Sequence, residues 1–382
     1  MADNNVDITK LEMSRAMFGA DNWIAYYYKL ESYDWPQITC GGQLPPTGAD
    51  PSNPDCPGDF IEQVDYRQVW NDPERNLIDP DLRPMRTQEF SVGLDHELNR
   101  VTVASVRYTH KQLDRAIEDV GTTVPGVGRV FMVANPGYGM AEYTLGENFP
   151  VQPPATRDYD GIEFRLGRRF RNNWAAGVSY LYSRLWGNYP GLASSDEGGR
   201  TSPNVEQSFD TLHMAYDLRG NLVMGRLGSD RPHIFKLFGM YDFSWGTMIS
   251  TGILWQSGRP LSLQMSQHQH LFFPEGRGSM GRTPPWFQVG LTVQQNFRLP
   301  GDMRVNLQVN IINLFDTDTV DDVDTSPYRD YFRVSDELYF SGSWDPAVTA
   351  AGDTEWRYDD KYGKPRSWME RRTIRFQVRL VF

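Results

Sequence analysis

Apolar and polar residues alternate with period two in segment after segment of this chain, and the segments come in pairs joined by very short turns. In the closing stretch, RRTIRFQVRLVF, Ile374, Phe376, Val378, Leu380 and Phe382 fall on one side, while Thr373, Arg375, Gln377 and Arg379 fall on the other with Val381. Successive side chains of a β-strand point to opposite faces, so such a segment has one apolar and one largely polar face. The same period runs through FSVGLDHEL (90–98) and, past Asn99-Arg100, through VTVASVRYTHK (101–111). It recurs in IEFRLGRRF (162–170) and WAAGVSYLYSRL (174–185), and in HIFKLFGMYDF (233–243) and the segment from 247. WFQVGLTVQQNFRL (286–299) and the segment from 303 form the last such pair. Pattern and turn chemistry make these hairpins.

What lies between the hairpins is long: residues 112–158, 186–230, 257–285 and 316–369, with 32–86 following an opening strand at 22–30. Connections beyond ~15 residues are unusual in compact domains. Short turns at one end and long loops at the other are the layout of outer-membrane barrels, with the short turns periplasmic. Each arm brackets the ~9–11 residues a tilted strand needs to cross a bilayer. The expected fold is therefore all-β: an antiparallel transmembrane β-barrel segment of about ten strands, with short periplasmic turns and long extracellular loops. The spans are expected at 22–30, 87–98, 101–111, 159–170, 174–185, 232–243, 247–256, 286–298, 303–315 and 370–382, in one domain covering 1–382. FDTLHMAYDL (209–218) has strand character, but counting it as a span would invert the strands on either side. It belongs in an extracellular loop.

Composition agrees. No stretch approaches the ~20 apolar residues of a membrane helix, and a mean hydropathy of −0.55 is expected where only every second residue meets lipid. Aromatics make up 13% of the chain, which suits girdles at two interfaces. A net charge of −11 argues against nucleic acid as a partner. Cys40 and Cys56 lie in one polar, Pro/Gly-rich stretch and read as a loop disulfide formed in an oxidising compartment, the alternative being two unrelated thiols. The start, MADNNVDITKLEMSR, has no cationic stretch leading into an apolar core. A mature chain, or the downstream piece of something longer, is expected.

The candidate sites are few. Asp316, Asp318, Asp321, Asp322 and Asp324 crowd DTDTVDDVDT in a proposed extracellular loop. Alternating carboxylates suit Ca²⁺, but the EF-hand glycine and closing glutamate are missing, and a solvated acidic loop is the stronger expectation; no other cofactor is implied. His268 and His270 face the same way in an extended chain, without an assignable third ligand. Asp95-His96 would suit the rim chemistry of a ten-stranded membrane protease, yet it lies beside a short turn, at the wrong end. No nucleophile elbow, zinc-protease or phosphate-loop motif is present, so no enzyme is expected. Glu163, Arg165, Arg169, Arg375 and Arg379 fall on the inward face; they line a lumen, either guiding polar solutes or satisfying one another in a hydrogen-bonded ladder.

Several phrases together resemble one family. MRTQEFSVGLDHELN (85–99), VTVASVRYTHKQLDRAIEDVG (101–121), ANPGYG (134–139), DRPHIFKLFGMYDF (230–243), SGRPLS (257–262) and NIINLFDT (310–317) look like the C-terminal barrel of TonB-dependent outer-membrane receptors. The Oar-like branch, with its carboxypeptidase-regulatory-like N-terminal domain, is the most similar kind. The final Phe382 resembles the membrane-insertion signal of bacterial barrels. This resemblance implies a bacterial outer-membrane location, lipid as surroundings, and uptake or export of a bulky solute. It also implies a 22-stranded barrel, a plug and a TonB box, none of which is visible here. The missing strands and plug are thus expected from another chain, with TonB reached only through it. The alternative is a non-transporting barrel used in adhesion or as a structural component of a surface complex.

Overall fold

The computed structural model describes residues 78–124, 128–191, 209–267, 270–301 and 303–382, together with backbone strands at Ile24–Lys29 and Asp59–Asp65. Nine long strands form one antiparallel wall: β1 (Arg86–Asn99), β2 (Thr102–Arg115), β3 (Arg157–Arg171), β4 (Trp174–Gly187), β5 (His233–Asp242), β6 (Thr247–Gln256), β7 (Trp286–Arg298), β8 (Arg304–Ile312) and β9 (Thr373–Val381). Each strand pairs with its neighbours in sequence, a plain meander. A two-residue strand, Gly225–Arg226, adds to the end of β4. Among the described residues the outer edges of β1 and β9 have no partner strand.

The turns are as tight as their residues permit. Asn172 and Asn173 take positive φ values of 52° and 68° between β3 and β4, the conformation a two-residue hairpin turn requires. Gly246, at φ 93°, closes β5 to β6. A Cβ there would meet the Asn296 carbonyl of β7 at 2.9 Å.

Register sorts the side chains into two faces. Val92, Leu94, Phe164, Leu166, Leu307, Phe376, Val378 and Leu380 are exposed on the outer face, Phe376 by 78% and Val378 by 72%. Phe382, at the short-turn end, is 96% exposed. A contiguous apolar surface of this extent is foreign to a water-soluble monomer, whose largest patch covers a few hundred Å². The band is bounded above and below. Toward the long loops, His110 and Tyr108 converge on Asp160 at 2.8 Å each, and Arg184 lies over Trp186. Toward the short turns, Arg168 sits 3.5 Å above the Trp174 ring, and the rings of Tyr241, Phe243 and Trp245 meet in sequence at tilted angles. From Ile162 to Phe170 the outward residues of β3 cover about 27 Å along a tilted strand, comparable with the ~25 Å apolar belt of an outer-membrane barrel.

On the inner face Gly167, Gly177, Phe238, Gly252 and Gly290 stand in register across β3 to β7. Phe238 is exposed there between bare backbone on both sides. Continued across the wall, the row climbs from Val103 near the short turns to Ile312 and Thr373 at the long-loop end, the stagger of tilted strands.

One expectation needs correcting. The segment expected to span at 22–30 is a strand, Ile24–Lys29, but it pairs with Asp59–Asp65 in a separate two-stranded sheet. A partner close in sequence closes a far shorter loop than the distant β9 would, an entropic difference on the order of 2 kcal/mol. The wall accordingly has nine long strands. Residues 209–218 hold a short helix, Leu212–Ala215, within the β4–β5 loop rather than a span.

Candidate functional site

The phrases that singled out the sequence become, in the structure, the joints where strands hand over to long loops. In ANPGYG the Asn135 carboxamide accepts from the Arg83 amide at 2.7 Å and donates to the carbonyls of Arg83 and Ala116. Gly137 (φ 74°) lies so close to Pro154 that a Cβ would come within 2.3 Å of its nitrogen. In NLFDT, Asn313 holds the Thr317 amide, hydroxyl and carbonyl and reaches the Glu370 carbonyl beside β9. In SGRP, the Thr283 hydroxyl accepts from the Arg259 amide, and Gly258 packs against Thr283 with no room for a side chain.

Asp230 of DRPH is the hub. Its side chain is fully buried and pairs with Arg226 at 3.1 Å and with Arg282. The same carboxylate accepts from the Leu185 amide at 2.7 Å, and Arg282 also donates to the carbonyls of Asp230 and Gly258. One carboxylate thus ties β4, the β4–β5 loop and the β6–β7 loop together. Neither partner was foreseen: Arg282 is 52 residues from Asp230, and Arg226, though only four residues away, lies in a loop with no regular period to bring the two together; D-R-P ahead of a strand was the only signal.

The acidic run serves the same rim. Asp321 pairs with Arg231 at 3.3 Å, Asp322 with Arg259, and Asp318 with Arg371 at 2.7 Å. Asp316 accepts from the Arg372 amide at 2.9 Å, while Asp324 joins Lys364 and Gly363 through its backbone. Burial draws the Arg231 guanidinium below its ordinary pKa, against the pull of Asp321. Among the described residues no three His, Cys, Asp or Glu groups are placed to hold a metal. Four of the five carboxylates are turned toward different arginines rather than toward a common centre.

Above the rim the loops pack into a head with its own core. Phe272, Phe332, Tyr339 and Trp344 are buried together, with Tyr328 and Trp356 against them. Two short helices, Asp336–Phe340 and Pro346–Ala351, are capped by Ser335 and Asp345. His213 lies against Tyr339 and Phe340 and pairs with Asp336 at 2.9 Å; His270 faces Asp210 at 3.5 Å. His268, Cys40 and Cys56 lie outside the described residues. Tyr339 donates to the carbonyls of His213 and Tyr216 at 3.2 and 3.0 Å. Burial pushes its phenol well above the usual value of 10.0, with Asp217 adding to the effect. Its contribution to stability is therefore complete below pH 10 and is lost as pH rises through the raised folded value. Tyr339→Phe should cost about 1–3 kcal/mol at neutral pH, by stranding two carbonyls. It should also flatten the alkaline fall in head stability, followed by near-UV circular dichroism.

The inner wall divides into two chemistries. Across β1 to β4, charges are compensated: Glu89 with Lys111 at 3.0 Å and Glu163 with Arg165 at 2.7 Å. Glu89, Lys111 and Glu163, with Arg107, Tyr159 and Arg231, line a cleft of about 630 Å³ beneath the loops. Asp95 faces inward in a smaller recess with Ser91, Arg107 and Arg165, at the short-turn half of the wall. Across β7 to β9 the inner face is carboxamide and arginine. Asn306 donates to Asn296 at 2.6 Å, with Gln294 at 3.4 Å from the same oxygen. Of the charges expected in the lumen, Glu163 and Arg165 are brought together. Arg169, Arg375 and Arg379 are on inward positions, and none of the three pairs with a carboxylate among the described residues.

Comparison with known proteins agrees with this layout. A family model described as an outer membrane beta barrel domain matches residues 52–271. The TonB-dependent transporter Oar of Myxococcus xanthus is 30% identical over 323 residues, covering 80% of this chain and 29% of that protein. The chain thus spans under a third of the length of this curated relative. Among solved structures, the outer membrane transporter YddB of Escherichia coli is similar at 12% identity with a TM-score of 0.42, covering 64% of this chain and 30% of that one. The FrpB iron transporter of Neisseria meningitidis is similar at 10% identity with a TM-score of 0.40, covering 80% of this chain and 33% of that one.

Proposed function

The chain belongs to the outer-membrane β-barrel family, as C-terminal barrel sequence of the TonB-dependent, Oar-like kind, and from that premise we propose that it forms one wall of a transporter whose remaining strands and plug come from other residues. Its place is the bacterial outer membrane, and its surroundings are outer-membrane lipid. The observation that carries the reading is a nine-strand wall, apolar outside and polar inside, with both edges unpaired among the described residues. In hydrocarbon each unsatisfied backbone group costs several kcal/mol, so an open sheet must find partner strands. Completion by further strands gives a wide lumen; closure of the wall on itself would leave a narrow interior filled by its own side chains. In this reading the bulky solute passes along the inner wall beneath the head, TonB acts through the plug-bearing part, and Phe382 serves as the insertion signal.

Disulfide trapping tests it. With cysteines at Ser91 in β1 and Gln377 in β9, the reading expects no cross-link between the two within one folded chain, and cross-links to the completing strands instead. Efficient intrachain trapping would mean that the wall closes alone. That result would favour the second reading, adhesion or surface assembly, which draws support from a packed head presenting exposed Val348, Tyr358 and Trp368.

A further inference from the structure

The inward face of β7 to β9 carries no acidic residue, although the chain as a whole holds 49 Asp and Glu against 38 Lys and Arg. What it carries instead is ordered by register. Arg375 stands opposite Asn310, which stands opposite Thr292; Gln377 opposite Gln308 and Gln294; Arg379 opposite Asn306 and Asn296. At the bottom of the wall Arg298 and Arg304 face each other directly across the β7–β8 hairpin. Like charges directly opposite on one face destabilise a strand pair. None of these four arginines pairs with a carboxylate among the described residues, and all four are exposed. The rim differs: there Arg226, Arg231, Arg259 and Arg282 each have an aspartate.

We propose that the β7–β9 face is a track for a polyanionic solute, one bearing several carboxylate or phosphate groups. The proposal rests on the transporter reading and names the substrate class of the same lumen. Arginine is the side chain for this task, since its planar fork matches both groups and holds its charge at any working pH. The carboxamides between the arginines donate hydrogen bonds without adding charge. The cations also stand at two heights along the path, with the row Gln294, Gln308 and Gln377 between Arg375 and the lower three. Arg375 lies near the long loops, Arg379 four residues further down, and the Arg298–Arg304 pair at the short turns. Passage requires sites that bind well enough to admit a solute and weakly enough to release it, and separated cations with neutral amides between them meet that condition. A static ion-pair ladder would instead place carboxylates on the same face, as β1 to β4 do with Glu89–Lys111 and Glu163–Arg165.

The test is equilibrium binding of inorganic tripolyphosphate, with neutral maltotriose as comparator, to the receptor purified in detergent with whatever strands complete it. The wild type is expected to bind tripolyphosphate in preference to maltotriose and to lose affinity as salt rises. Arg375→Gln with Arg379→Gln should weaken tripolyphosphate binding at least tenfold, and Arg375→Lys with Arg379→Lys should keep most of it. Arg357→Gln, which breaks a pair with Asp330 on the head, should change nothing. Equal binding of tripolyphosphate by the glutamine variant, or of maltotriose and tripolyphosphate by the wild type, overturns the track. Should the glutamine variant not fold, the lysine variant decides, and loss of binding there overturns it as well. Trapping of β1 to β9 within one chain, by contrast, would sink the transporter reading whatever the binding result.

Discussion

Refolded into lipid vesicles together with the strands that complete it, the Val378→Arg variant should lose most of its folded population, while Gln377→Arg, one residue earlier, should fold nearly as well as the wild type. Val378 is 72% exposed on the outer face, beside Leu307, and Gln377 faces inward opposite Gln308. An arginine turned toward the bilayer midplane costs roughly 2–4 kcal/mol, and one turned into the lumen costs little. In a bilayer assay the difference amounts to between about thirty-fold and a thousand-fold in the folded population. The shift of the folded band in an unheated gel reads it directly. Because one residue of slippage moves every side chain to the other face, the pair of variants tests the register of the whole strand. The reverse ranking would place Phe376, Val378 and Leu380 inside and remove the basis of the membrane assignment.

The second large effect is expected at the rim. Asp230→Asn removes the charge that Arg226 and Arg282 share while leaving both guanidinium groups where they are. Breaking a buried pair from one side costs about 3–5 kcal/mol, because a cation is left without its partner. Urea unfolding in micelles should show a loss of that order. A double variant, Asp230→Asn with Arg282→Met, should recover part of it, since the stranded charge is then gone. If the double variant is as unstable as the sum of the two single changes, the pair is not coupled and the rim is held by packing alone.

How much of this was legible in the sequence depends on whether the determining contact is local. Alternation along FSVGLDHEL or TIRFQVRLVF is a property of consecutive residues, and the strands expected there are present, with bounds a few residues different. Strand choice of partner is not local. Residues 22–30 alternate well enough to make a strand, yet the sequence does not say that Asp59–Asp65 takes its edge. The partners of the acidic run were hidden for a related reason. Five aspartates within nine residues read as a solvated acidic loop before a Ca²⁺ site, and neither reading shows that Arg231, Arg259 and Arg371, each dozens of residues away, pair with three of them. The inward position of Arg375 and Arg379 followed from period two. Their lack of a carboxylate partner among the described residues did not, because it depends on what neighbouring strands present at the same height.

If the two edges that are unpaired among the described residues take further strands, as proposed, the word stability changes its meaning for this protein. A wall that needs strands on both sides has no folded monomer in lipid to serve as a reference, so its unfolding midpoint is governed by mass action with its complement. If that complement lies in the same polypeptide, the relevant quantity is an effective concentration set by the connecting segment. If it is a separate molecule, diluting one should melt the other.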